Sequence, residues 1–141
     1  MKIIEVNEFT KAFYEAVCKF LSFLSTDPVQ FTEADFNTII TSAHSHLFLL
    51  FDGESIAGMA TVATYRSPSG SKAWIEDVVV DETCRGKGYG RILTQHAIDF
   101  AKLQHADLLM LTSNPSRIAA NKLYQSIGFQ RKETNLYRML F

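Results

Sequence analysis

Residues Cys84-Arg85-Gly86-Lys87-Gly88-Tyr89-Gly90 place three glycines and two cations shortly after the apolar run Val78-Val79-Val80. A glycine-rich turn that opens a helix offers unpaired backbone N–H groups at the positive end of the helix dipole, which binds phosphate with few cations. Two familiar phosphate loops fail on spacing. The Walker pattern needs Gly-Lys-Ser/Thr, but Gly86-Lys87 is followed by Gly88, so no hydroxyl is placed for Mg²⁺. The dinucleotide fingerprint needs a third glycine where Arg91 stands. A phosphorylated ligand of another class is expected.

Just upstream, Glu76 and Asp77 adjoin the valines. Alternation along a strand sends neighbouring side chains to opposite faces, so one of the two at most reaches a given ligand, unless a bulge shifts the parity toward Asp77. Both also fit as solvated or salt-bridged strand residues. Downstream, Tyr124 carries a phenol with a reference pKa of about 10, a group able to donate a proton. Asn114 precedes Pro115 and reads equally as a ligand contact or a turn starter. His44 and His46 lack a third ligand at metal-site spacing, and His96 reads as a core histidine. Cys84 has no neighbouring histidine to activate it.

These groups need elements to position them. Ile3, Ile4 and Val6 predict a first strand, and Phe9, Phe13, Val17, Phe20 and Leu24 keep helical spacing until Thr26-Asp27-Pro28. Thr32 and Asp35 stand at capping-box spacing for a second helix. "HLFLLF" and "SIAGMATVATY" flank Asp52-Gly53, a hairpin signal, and Arg66 to Lys72 reads as a loop. Ala73 to Val80 predicts a central strand and Tyr89 to Gln104 a helix. "DLLMLTS" predicts a strand and Ser116 to Ile127 a helix stopped by Gly128. "FQRKE" and "LYRMLF" predict two last strands. The order points to an α+β or mixed α/β fold in one domain over residues 1–141.

Composition agrees with such a fold. A chain of 141 residues, 47% hydrophobic and 21% charged, buries roughly two-thirds of its unfolded surface without staples. Fourteen basic and fifteen acidic residues leave no basic excess for nucleic acid. Two cysteines are too few for a disulfide framework, and no stretch is long and apolar enough for a membrane span. A soluble cytoplasmic protein with no nucleic-acid or membrane partner is expected.

Arg85-x-x-Gly88-x-Gly90, preceded by "IEDVVV" and followed by "LLMLTSN" and "RIAANKLYQSIGF", resembles the pyrophosphate loop and its setting in the GNAT N-acetyltransferase superfamily. The match runs from about Trp74 to Phe141; the N-terminal half agrees in element order. The resemblance implies a mostly antiparallel sheet of six to seven strands flanked by about four helices, with acetyl-CoA as co-substrate and no metal. It implies that backbone N–H groups of Arg85, Gly86, Lys87, Gly88, Tyr89 and Gly90 hold the pyrophosphate, with Lys87 or Arg91 adding charge. The pantetheine arm would lie along Val78, Val79 and Val80, near Asn114, with an N–H near Val79 facing the acetyl carbonyl. Glu76 resembles the family's general base and Tyr124 its general acid; the family's asparagine seven residues before the tyrosine is Arg117 here. The acceptor would be a primary amine, on a small molecule ahead of a protein, and the protein a monomer or homodimer. A silent acyl-CoA-binding or sensing domain is the alternative.

Overall fold

The computed structural model describes all 141 residues. β1 (Lys2–Glu5) leads into α1 (Lys11–Leu24), capped by the Thr10 hydroxyl on the Phe13 N–H. α2 (Glu33–Thr41) starts at the expected capping box: Thr32 Oγ1 accepts from the Asp35 N–H at 3.1 Å, and the Asp35 carboxylate accepts from the Thr32 N–H at 2.9 Å. β2 (Ser45–Asp52), β3 (Ser55–Ser67) and β4 (Gly70–Val80) follow as hairpins, then α3 (Tyr89–Leu103), β5 (Leu108–Met110) and α4 (Ile118–Ile127). The sheet runs β1-β2-β3-β4-β5, antiparallel except for the parallel β4–β5 pair.

The α+β class holds, with four helices, but the sheet has five strands rather than six or seven. "FQRKE" and "LYRMLF" form no strand, because no other strand pairs with them: Phe129 N–H donates to the Tyr124 carbonyl at the end of α4, and residues 130–141 are exposed throughout with no backbone partner. The stretch from Arg66 to Lys72 is a tight hairpin in which Ser67 pairs with Gly70, so most of it is strand, not loop. At the other hairpin Asp52 ends β2, and Gly53, at φ 62°, takes the left-handed position.

Side-chain alternation splits the core in two. Leu47, Leu49 and Met59 pack with Val17, Phe20 and Phe36 under α1 and α2, whereas Phe48, Val62, Ala73 and Ile75 pack with Ala97 and Ala101 of α3. His96 lies among the latter group, 4.6 Å from the Phe48 ring, and burial holds its pKa below the ordinary value.

One irregularity in β4 sets the site. Glu76 pairs with Thr61 and Val79 with Met59, so Asp77 and Val78 together oppose Ala60 in a β-bulge. Asp77 takes the left-handed conformation at φ 51°, which aspartate tolerates better than most residues. The bulge reverses the parity: Val79 packs under α1 and α2, on the face of Met59 and Thr61, whereas Val78 and Val80 pack against α3. Gly58 on β3 permits this close approach, since a Cβ there would lie 2.7 Å from the Val79 carbonyl oxygen.

Beyond the bulge, the buried Asp81 ties the end of β4 to α1. Its carboxylate accepts from Lys19 Nζ at 2.5 Å and from the Thr83 N–H and hydroxyl. Lys19, followed by Thr83, holds the Asp81 pKa down at about 2. A carboxylate depressed in this way stabilises the fold above its ordinary pKa of about 4, and the contribution fades as pH falls through the folded value. Asp81→Asn should therefore melt below the wild type at pH 7, and the gap should close as thermal melts are taken from about pH 4 toward pH 2.

Candidate active site

After β4 the chain turns through a short 3-10 segment, Glu82–Cys84, that Asp81 caps. Gly86 and Gly88 follow at φ 80° and 81°, where an L side chain costs about 1–2 kcal/mol. A Cβ on either would meet no atom of the chain, so the space above the loop is free for a ligand. Gly88 is the N-cap of α3 and offers no side-chain cap, and α4 begins at Arg117 equally uncapped. Both helix starts line one cavity of about 660 Å³, leaving first-turn N–H groups without a side-chain acceptor beside it. The donor set fits a diphosphate. Arg85, Arg91 and Arg117 supply cations to the same lining, and Phe23 and Leu24 of α1 supply an apolar wall.

Of the residues singled out in the sequence, Val78, Val79, Val80, Arg85, Gly86, Gly88, Tyr89, Gly90 and Tyr124 meet at this cavity. Lys87 and Asn114 do not line it. Lys87 Nζ lies 3.4 Å from Asp52 Oδ2 and 5.8 Å from the centre of the Tyr89 ring. Asn114 shapes the turn before α4: its side-chain oxygen accepts from the Ser116 N–H, and its carbonyl accepts from Asn121 Nδ2. Glu76 and Asp77 stand on β4 just before the first lining residue, Val78. Sequence reasoning missed the α1 wall and α4's Ile118, Ala119 and Ala120, whose place depends on packing between distant elements.

It also missed Asp52. This residue ends β2, far from the loop in sequence, yet it accepts from the Tyr89 hydroxyl at 2.5 Å as well as from Lys87. The two contacts straddle Gly88, so one carboxylate anchors both sides of the turn that opens α3. The bond to Asp52 pushes the Tyr89 pKa up to about 12, and Tyr89, followed by Lys87, holds Asp52 below the usual carboxylate range. Arg91 is steadied separately by donating to Ser126 Oγ at 2.7 Å.

The remaining titratable groups are tuned by burial. Desolvation raises the pKa of Asp77; it raises Glu76 as well, helped by the negative charge of Asp77. Tyr124 is 8% exposed, and burial raises its pKa while Arg117 pulls it back. A carboxylate with increased affinity for protons and a buried phenol thus flank the strand that lines the cavity.

Two substitutions test the loop. Gly88→Val should raise the dissociation constant for acetyl-CoA about tenfold or more in calorimetric titration, through backbone strain and loss of the open space. Asp52→Ala should raise KM for acetyl-CoA about three- to tenfold and leave kcat within about twofold, because it loosens the loop without touching the reacting atoms.

Comparison with known proteins agrees with this geometry. The acetyltransferase (GNAT) family model matches residues 5–129. An N-alpha-acetyltransferase RimI of Mycobacterium tuberculosis is 30% identical over 109 residues, covering 77% of this chain and 66% of the relative. A streptothricin acetyltransferase of Streptomyces lavendulae is 38% identical over 78 residues, 55% of this chain and 40% of the relative. The chain thus spans less than two thirds of the length of these relatives. In fold, it superposes on a putative acetyltransferase from Agrobacterium tumefaciens with a TM-score of 0.87 at 22% identity, covering 99% of this chain and 100% of that one. The chain belongs to the GNAT acetyltransferase family, transferase enzymes that use acetyl-CoA as co-substrate.

Proposed function

We propose that the protein is an N-acetyltransferase that moves the acetyl group of acetyl-CoA to a primary amine by direct attack in a ternary complex. The observation that carries this reading is a single cavity joining two uncapped helix N-termini, the bulged strand β4 and the Tyr124 phenol. The pyrophosphate would lie on the backbone N–H groups of the loop, near Arg85 and Arg91, and the pantetheine arm along Val78 to Val80. Backbone N–H groups freed by the bulge would face the acetyl oxygen, where preorganised donors stabilise developing negative charge.

Glu76 is the base in this reading. It takes a proton from the acceptor, directly or through one water, so that the amine lone pair can attack the carbonyl carbon. The C–N bond forms and the C–S bond breaks; Tyr124 gives its phenolic proton to the departing sulfur. Burial, helped by the negative charge of Asp77, keeps the Glu76 carboxylate more basic than an ordinary one, and Asp77 adds negative charge that attracts a cationic amine. The names of the RimI and streptothricin relatives indicate different acceptors, which supports amine acetylation without narrowing the amine. A small-molecule amine is the acceptor class of the proposal, with a protein amine as the second arm of the assay.

Thiol release from acetyl-CoA over a panel of amines tests the activity; binding without turnover on any amine would make the protein a silent acyl-CoA binder. Tyr124→Phe should lower kcat about a hundredfold and leave acetyl-CoA affinity within about threefold. Activity should be lost as pH falls through the raised pKa of the base, since protonated Glu76 cannot accept a proton. Glu76→Gln should lower kcat/KM about a hundredfold and abolish that acidic limb. Asp77→Asn should retain activity and move the limb to lower pH, because removing the adjacent negative charge makes Glu76 more acidic. The reverse pattern would assign the base to Asp77.

A further inference from the structure

Tyr124 stands in the last turn of α4, buried, with the Phe129 ring centred 6.1 Å from its own. It lines the cavity, and its hydroxyl makes no hydrogen bond within the chain. A phenol so placed can part with its proton only if the charge left on its oxygen is tolerated. Two features oppose that charge: burial, and the negative end of the α4 dipole, whose last carbonyls gather at this turn. A charge of opposite sign has to offset them.

The cavity lining holds three cations, and two are engaged. Arg85 faces Glu82 at 3.6 Å, and Arg91 donates to Ser126 Oγ at 2.7 Å. Lys87, on the same loop, is turned to Asp52. The guanidinium of Arg117 makes neither an ion pair nor a hydrogen bond, although its backbone is fixed: its N–H donates to the Asn114 carbonyl, and its carbonyl accepts from the N–H and Nδ2 of Asn121. Arg117 precedes Tyr124 by seven residues, two helical turns and roughly 10 Å along the axis, so both leave the same face of α4. Between them on that face Ala120 has only a methyl group. The other titratable groups near the cavity bring no positive charge: Cys84 and Tyr89 in the lining, Glu76 and Asp77 on β4.

We infer that Arg117 offsets the negative charge that Tyr124 acquires when it protonates the departing sulfur, a role that rests on the acetyl transfer proposed above. As the C–S bond breaks, the O–H bond of Tyr124 breaks with its electron pair left on the phenolic oxygen, and an S–H bond forms. The phenolate regains a proton from water once coenzyme A has left, matching the proton that Glu76 returns to water. Arg117 is thus a positioning residue, acting on the reaction through Tyr124. Its guanidinium is exposed, so water screens it in the protein alone; acetyl-CoA filling the cavity displaces that water and strengthens the interaction when the chemistry occurs. Burial raises the Tyr124 pKa and Arg117 already draws it back.

Arg117→Met and Arg117→Lys, each alone and combined with Tyr124→Phe, test this with an amine that supports turnover. Arg117→Met should lower kcat about three- to tenfold and keep KM for acetyl-CoA within about twofold, while Arg117→Lys, which keeps the charge, stays within about twofold of the wild type. In the Tyr124→Phe background Arg117→Met should have no further effect, because the charge it offsets no longer forms. Tyrosinate absorbance of the coenzyme A complex, with the Tyr124 contribution isolated by subtracting Tyr124→Phe, gives a readout independent of turnover. Arg117→Met should move that ionisation to higher pH, and Arg117→Lys should not. Helical circular dichroism should be unchanged in both, since the side chain is exposed. A Tyr124 titration unmoved by Arg117→Met, or a fall in kcat that persists in the Tyr124→Phe background, overturns the inference and leaves the acetyl transfer in place. A raised KM with kcat unchanged would make Arg117 a phosphate contact and overturns it equally. Wild-type turnover in Tyr124→Phe, or no turnover on any amine, would remove the acid role of Tyr124 and the inference with it.

Discussion

One extra residue in β4 governs the site. Without the bulge opposite Ala60, Val79 would fall on the α3 face with Ile75, and the strand would present an unbroken ladder to β3. With it, the strand changes parity between Glu76 and Val79, and backbone groups come out of register where the cavity begins. The cost is a non-glycine residue in the left-handed region. Asp77 bears it, and Gly58 on β3 makes room for the strand just beyond, at Val79 and Val80.

The phosphate side depends on a different economy of charge. Lys87, conspicuous in the sequence, is occupied by Asp52, whereas the three arginines that line the cavity come from the loop, from α3 and from the turn before α4. What they surround is a pair of helix starts whose N–H groups have no side-chain acceptor. In the proposed site, anion binding would thereby be distributed over main-chain dipoles and guanidinium groups, with the lysine serving the loop's shape. The hairpin carrying Asp52 becomes part of the site without touching the cavity.

Much of this was legible from residue order. The capping box at Thr32, the strand before the loop and the helix after it follow from local pattern, and the structure contains them. The glycine loop was readable because positive φ leaves few other residues to choose from. Asp52 was not, since only the folded hairpin brings it to Tyr89, and neither were Phe23 and Leu24, which reach the cavity through the packing of α1 on the sheet. The strands expected at the end of the chain show the opposite failure. Their pattern describes what the segment is suited to do, but a strand exists only where another backbone answers it, and none within the chain does.

The division of labour around β4 also bears on how such a protein changes over generations. Peptide N–H groups are the same whatever codon is read, so a site built on the loop backbone and the bulge is insulated from most point mutations that preserve the local dihedral angles. The wall contributed by α1 has no such insulation, because Phe23 and Leu24 act through their side chains. Drift at those positions can reshape one end of the cavity while the other is inherited intact.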